Sequence, residues 1–126
     1  MTVRVVIAED EAIIRLDLRE TLEEEGYEVV GETSRGDHAV DLCRQLRPDL
    51  AILDIKMPHT DGIAAARMIS GENLCAVLIL TAFSQTEVID EVHDAGALAY
   101  LVKPYEKNEL LPAIELAISR FRETRT

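Results

Sequence analysis

The sequence predicts an α/β domain built on a parallel β-sheet with helices on both faces. Three observations carry that expectation. Five short apolar runs alternate with five segments of helical period, the pattern of a repeated strand–helix unit. The central runs, residues 50–53 (LAIL) and 76–80 (AVLIL), contain no polar residue, as strands buried on both faces require. Four of the five runs end in a polar or charged residue, at the sheet edge where open α/β folds bind ligands. At 126 residues the chain makes one domain with a real core.

The elements follow in order. Residues 3–8 (VRVVIA) read as the first strand, with Glu9-Asp10-Glu11 at its carboxyl end. Ile14, Leu18, Leu22 and Glu25 then step at helical spacing, and Gly26 is a helix stop. Residues 28–33 (EVVGET) form a weaker strand, and 36–46 a helix with Ala39, Val40, Cys43 and Leu46 on one face. Pro48-Asp49 turns the chain into the third strand, which delivers Asp54. Met57-Pro58 and Asp61-Gly62 mark a loop, and residues 63–70 (IAAARMIS) a third helix. The fourth strand ends at Thr81. Ser84-Gln85-Thr86-Glu87 matches a capping box for a helix with Val88, Ile89, Val92 and Ala95 on its apolar face, ended by Gly96. Residues 99–102 (AYLV) are the fifth strand, followed by Lys103-Pro104. Leu110, Leu111, Ile114, Ala117, Ile118 and Phe121 keep helical register in the last segment. Pro112 interrupts it. An interior proline costs ~3 kcal/mol or more, so a late start or a slight kink is expected.

Composition excludes several function classes. The net charge is −11, which opposes binding of nucleic acid through phosphate contacts. No apolar run approaches the ~20 residues of a membrane span. Residues 1–4 (MTVR) lead straight into a strand rather than a secretory signal, so a cytoplasmic protein is expected. Cys43 and Cys75 have no zinc or redox spacing and read as buried free thiols. His38, His59 and His93 show no ligand spacing and read as solvated surface. No phosphate-binding P-loop is present.

The strand ends carry the chemistry. Taken singly, Glu9-Asp10-Glu11 reads equally as an acidic helix start. Asp54 alone reads as a loop cap, Thr81 as a strand-end hydroxyl, and Lys103 as a solvated lysine. Together they place Asp, Asp, Thr and Lys at successive strand ends of one sheet edge. Carboxylates brought close repel one another unless a cation lies between them. Hard oxygen ligands select Mg²⁺ over zinc. A carboxylate beside such a cation, with a lysine and a hydroxyl at hand, suits nucleophilic attack on phosphorus.

On the motifs AEDE (8–11), LDIKMPHTDG (53–62), LTAFS (80–84) and AYLVKPY (99–105), the sequence resembles the receiver domain of two-component response regulators. The resemblance runs from Val3 to about Phe121. It implies a flavodoxin-like (βα)5 fold with strand order 2-1-3-4-5. It implies that Asp54 accepts a phosphoryl group from a phosphohistidine of a sensor histidine kinase. Asp10 and Asp54 would ligate Mg²⁺ by side chain and Lys56 by its backbone carbonyl, with Glu9 acting through a metal-bound water. Thr81 and the Ala82 N–H would bind phosphoryl oxygens, and Lys103 would pair with the group. Tyr100 would be an aromatic switch, turning inward as Thr81 moves. The face of the fourth helix, fifth strand and fifth helix would carry the output, and a phosphorylation-dependent homodimer is a further expected partner. The Lys103-Pro104 peptide would be cis.

Such a domain is a stoichiometric switch, not an enzyme, with slow self-dephosphorylation at most. A Mg²⁺ phosphohydrolase would resemble DxD at the nucleophile, and here the second residue after Asp54 is Lys56. The receiver domain is expected over residues 1–122, with 123–126 a tail or the start of a linker. The runs AEDEAIIRLDL (8–18), LTAFSQ (80–85) and LLPAIELAISRF (110–121) also look like receivers joined to RNA-binding ANTAR antitermination domains. That implies RNA contact through an output domain and none through this one. The alternative is a single-domain signalling or binding module.

Overall fold

The computed structural model describes residues 2–57, 59–82 and 86–124. The chain runs β1 (Arg4–Ala8), α1 (Ala12–Glu24), β2 (Glu28–Thr33), α2 (Gly36–Leu46), β3 (Leu50–Asp54), α3 (Gly62–Gly71), β4 (Ala76–Thr81), α4 (Thr86–Asp94), β5 (Ala99–Val102) and α5 (Lys107–Thr124). All strand pairs are parallel, and the sheet order is β2-β1-β3-β4-β5. Parallel neighbours need a crossover, and each crossover here is a helix.

Strand alternation builds two cores. Val5, Ile7, Leu50, Ile52, Leu78 and Leu80 pack with Leu18 and Leu22 of α1 and Leu110 and Ile114 of α5. Val6, Ala8, Ala51, Leu53, Val77 and Ile79 pack on the other face with residues of α2, α3 and α4. Successive side chains of a strand point to opposite faces, so β3 and β4 are buried along their whole length. Cys43 and Cys75 lie inside the second core as free thiols. His38, His59 and His93 are exposed. Gly26 and Gly96 follow α1 and α4 with φ of 89° and 94°, as helix stops in the left-handed region do. The Ser84-Gln85 half of the expected capping box lies outside the described residues.

Pro112 does not delay α5. The helix begins at Lys107, five residues earlier. Its start is set by Glu109, whose Oε1 accepts from the Glu106 N–H at 3.0 Å, half of a capping box. Pro112 itself is exposed, so water can satisfy the carbonyl it leaves unpaired.

The β3–α3 connection is clamped at its end. Asp61 caps α3, its Oδ1 accepting from the Ala64 N–H at 2.8 Å. The Gly62 N–H donates to the Ile55 carbonyl at 2.8 Å. A Cβ on Gly62 would lie 2.1 Å from the Asp54 carbonyl oxygen, so only glycine allows this approach of backbone to backbone. Gly62→Ala is expected to destabilise the fold by about 1–3 kcal/mol, read as a lowered urea midpoint. A neutral result would mean that the loop after Asp54 is not held in this way.

Candidate functional site

Strand parity gathers the charged groups. Glu9 continues the set Val5, Ile7; Asp54 continues Leu50, Ile52; Lys103 continues Ala99, Leu101. All three sets belong to the α1–α5 side of the sheet. Register puts Ala8 beside Leu53, so Glu9 and Asp54 leave adjacent strands as neighbours. Lys103 comes from across β4, where the facing position is Ala82. Its methyl group leaves the path open. A cavity of about 340 Å³ results, lined among others by Asp10, Asp54, Lys56, Ala82 and Lys103.

The centre is a shared ammonium. Lys103 Nζ donates to Glu9 Oε1 at 2.8 Å and lies 3.3 Å from Asp54 Oδ1. Glu9 Oε2 accepts from the Glu11 N–H at 3.2 Å. Glu9, Asp54 and Thr81 are all buried, at 0%, 7% and 1% exposure, whereas Asp10 at the mouth is exposed. Glu9, Asp10 and Asp54 each offer an oxygen, all within 4.8 Å of one another. A cluster of carboxylate oxygens beside a solvent-facing mouth fits a hard divalent cation.

The two buried carboxylates differ in their ionisation. Burial acts to raise the pKa of Glu9, but the Lys103 and Glu11 hydrogen bonds outweigh it, and it falls below the ordinary carboxylate value. Asp54 is pushed up to about 6, first by burial and then by the charge of Glu9, with Lys103 opposing both only in part. Burial would lower the pKa of Lys103, but its carboxylate partners raise it, so the ammonium is kept charged.

The remaining expected residues take these places. Thr81 closes β4, and its carbonyl accepts from the Lys103 N–H at 2.7 Å. By strand parity its side chain belongs with Val77 and Ile79, on the face opposite Asp54. Tyr100 is turned outward, 41% exposed. It lines a hollow of about 370 Å³ with Ile89, Val92, Leu116 and Arg120, between α4, β5 and α5. The Lys103–Pro104 peptide is cis. Two contributors escape a reading by motif. Arg15 donates from Nη1 to the Glu9 carbonyl at 2.7 Å, and Gly62 seats the loop after Asp54. Asp61-Gly62 is visible as a turn signal, but the role of Arg15 has no local signature.

Comparison with known proteins places the chain in a family. The family model of the response regulator receiver domain matches residues 5–115. The chain belongs to the response regulator receiver family. The transcriptional regulatory protein PdtaR of Mycobacterium tuberculosis is 57% identical over 120 residues, which is 95% of this receiver chain and 58% of PdtaR. The chain thus spans 58% of the length of that relative. Sporulation initiation phosphotransferase F of Bacillus subtilis is 33% identical over 117 residues, covering 91% of this chain and 93% of that protein. Among solved structures, the signal receiver domain of the putative response regulator NarL from Mycobacterium tuberculosis superposes with a TM-score of 0.88 at 28% identity. That match covers 94% of this chain and 97% of the other. Among the described residues, no helix of this receiver is long and apolar enough to cross a membrane.

The raised pKa of Asp54 makes a pH-dependent claim. The folded protein binds a proton at Asp54 more tightly than the unfolded chain does. The penalty for ionised Asp54 is therefore full above about pH 6 and is relieved as pH falls through that value. In the absence of metal, Asp54→Asn is expected to be more stable than wild type at pH 7.5, by about 1–3 kcal/mol. The difference should vanish near pH 4. Paired urea titrations at the two pH values check this, and equal midpoints at pH 7.5 would contradict it.

Proposed function

We propose that this receiver is a phosphoacceptor switch in which Asp54 takes a phosphoryl group from a phosphohistidine of a sensor histidine kinase, in a Mg²⁺-dependent reaction. The supporting observation is the buried Asp54 carboxylate, met by Lys103 at 3.3 Å and clustered with Glu9 and Asp10 beneath an open cavity. A carboxylate oxygen of Asp54 attacks phosphorus and the P–N bond breaks. The bonding pair leaves with the imidazole, which regains its neutral form by taking up a proton. Asp54 becomes an acyl phosphate. The kinship with a sporulation phosphotransferase supports phosphoryl chemistry. Ile13, on the first turn of α1 and 84% exposed, offers an apolar contact for the phosphodonor.

Asp10 and Asp54 would hold the Mg²⁺ by carboxylate and Lys56 by its backbone carbonyl, with Glu9 one shell further out. When bound, the ion supplies charge neutralisation for the phosphoryl oxygens. Lys103 shifts from the Asp54 carboxylate to a phosphoryl oxygen, where its ammonium offsets the added charge. The Thr81 hydroxyl and Ala82 N–H take the other oxygens. The group stays on Asp54 until water removes it, so the domain acts once per phosphorylation.

The signal would leave through β4 and β5. Thr81 pairs with Val102 in the ladder, and its carbonyl holds the Lys103 N–H. A Thr81 drawn toward the phosphoryl group would vacate space for the Tyr100 ring. The switch is a shift between two packings of the α4–β5–α5 face, which would also be the site of a phosphorylation-dependent homodimer. The kinship with a transcriptional regulatory protein supports a transcriptional output. RNA-binding antitermination through a further domain is the specific form proposed, with the cytoplasm as its compartment. A net charge of −11 keeps this domain itself off RNA.

Incubation with Mg²⁺ and acetyl phosphate is expected to add one phosphoryl group to wild type by intact mass. Asp54→Asn and Asp10→Ala should gain none, and an Asp54→Asn protein that still gains the group would overturn the assignment. Thr81→Ala should be phosphorylated yet show weak NMR shift changes across α4, β5 and α5. Shifts confined to α2 in the wild type would refute the proposed route.

A further inference from the structure

We propose that Arg15 is a positioning residue for the metal site: it holds the Glu9 carbonyl and so fixes the turn that aims Glu9 and Asp10 at a divalent cation. The inference rests on the reading of the acidic trio as a Mg²⁺ site.

In the turn from β1 into α1 the Glu9 side chain is held by the Glu11 N–H at 3.2 Å and by Lys103 at 2.8 Å, and the backbone is held separately. Glu11, at the N-cap of α1, makes no side-chain cap hydrogen bond. The Glu9 N–H is held by the Thr33 carbonyl of β2 at 3.0 Å. On the other side of the same residue, Arg15 Nη1 donates to the Glu9 carbonyl at 2.7 Å. The peptide between Glu9 and Asp10 is therefore gripped by a side chain from the first turn of α1. That peptide sets the direction of both carboxylates. A charged donor on a backbone oxygen is among the stronger hydrogen bonds.

The guanidinium is itself held from behind. Arg15 Nε faces Glu32 Oε1 of β2 at 3.4 Å. Glu32 Oε2 accepts from Arg19 Nη1 at 2.7 Å. Glu32 thus gives each arginine one oxygen, and the pair braces α1 against the edge strand. Arg19 reaches Glu32 and Glu23, and no recorded contact joins it to the β1–α1 turn. Arg19 is therefore a matched control, with the same charge, the same helix and the same acidic partner.

Charge and positioning predict opposite signs. Arg15 brings a positive charge to the Glu9 carbonyl, at the edge of the acidic cluster. If charge alone mattered, removing it would strengthen Mg²⁺ binding. If it positions the turn, removing it weakens binding, because groups behind a metal's ligands typically set about tenfold or more of affinity. The Arg15 side chain lies at the surface, 21% exposed, outside both cores, so Arg15→Met should fold.

The experiment titrates Mg²⁺ alone into ¹⁵N-labelled protein, following the Asp10 and Asp54 amides, for wild type, Arg15→Met and Arg19→Met. Arg15→Met is expected to bind Mg²⁺ about tenfold more weakly, and Arg19→Met as tightly as wild type or slightly more so. In acetyl phosphate assays Arg15→Met should need more Mg²⁺ for half-maximal phosphorylation, while its rate at saturating Mg²⁺ matches wild type. Mg²⁺ binding by Arg15→Met that equals or exceeds wild type overturns the inference, as does an equal weakening in Arg19→Met. A wild type that binds no Mg²⁺ would instead overturn the reading of the trio as a metal site.

Discussion

One ammonium stands between two buried carboxylates, and the sheet edge depends on that contact. Glu9 and Asp54 emerge from adjacent strands and are both buried. Bringing two such charges together without compensation is costly. Lys103 supplies the compensation unevenly, at 2.8 Å from Glu9 and 3.3 Å from Asp54. Glu9 also has a backbone N–H. The result is one carboxylate held firmly ionised and one left under-compensated, with its pKa raised to about 6. An under-compensated anion at the mouth of a cavity is a place where an added cation lowers the free energy. The same arrangement leaves Asp54, rather than Glu9, as the group with unspent reactivity.

The rest of the fold fixes that geometry. Period-two alternation puts Glu9, Asp54 and Lys103 on one side of the sheet, and the two cores prevent the strands from slipping. A shift of one residue would send Asp54 into the α2–α4 core and Leu53 to the site. The connecting segments supply the remaining precision. Gly62 lets the chain return against the Asp54 carbonyl, and Gly36 likewise admits the Thr60 carbonyl at the start of α2, where a Cβ would lie 1.8 Å from that oxygen. Arg15 grips the opposite turn.

The elements and the acidic edge were legible in the sequence for local reasons. Unbroken apolar runs mark strands buried on both faces, and a polar residue after such a run can only lie at a strand end. The Glu9–Lys103 pair was not legible, because its partners are 94 residues apart and either could as well face solvent. Pro112 misled in the opposite direction. The late start it suggested does not occur, because Glu109 fixes the helix start at Lys107, upstream of it. Tyr100 shows a further limit. Alternation within a four-residue edge strand says which face a ring belongs to. It does not say whether the ring packs inward or, as here, lies 41% exposed.

Thr81 gives the two faces of the sheet something to exchange. Asp54 and Lys103 belong to the α1–α5 set, whereas Thr81 falls in the alternate set with Val77 and Ile79. Thr81 is buried, at 1% exposure, and by strand parity its side chain does not share a side with Asp54. If Asp54 gained an anion and Thr81 were to reach it, strand parity would favour a shift of the strand end over a rotamer change alone. The end of β4 would then move. That end is tied to β5 through the Thr81–Val102 pairing and the Lys103 N–H, so β5 and its outward Tyr100 would adjust with it under the proposed switch. Close packing along β4, buried from Ala76 to Thr81, resists gradual deformation. A strand that resists gradual deformation but must respond to a discrete charge favours two arrangements over a continuum, which is the physical requirement for a switch.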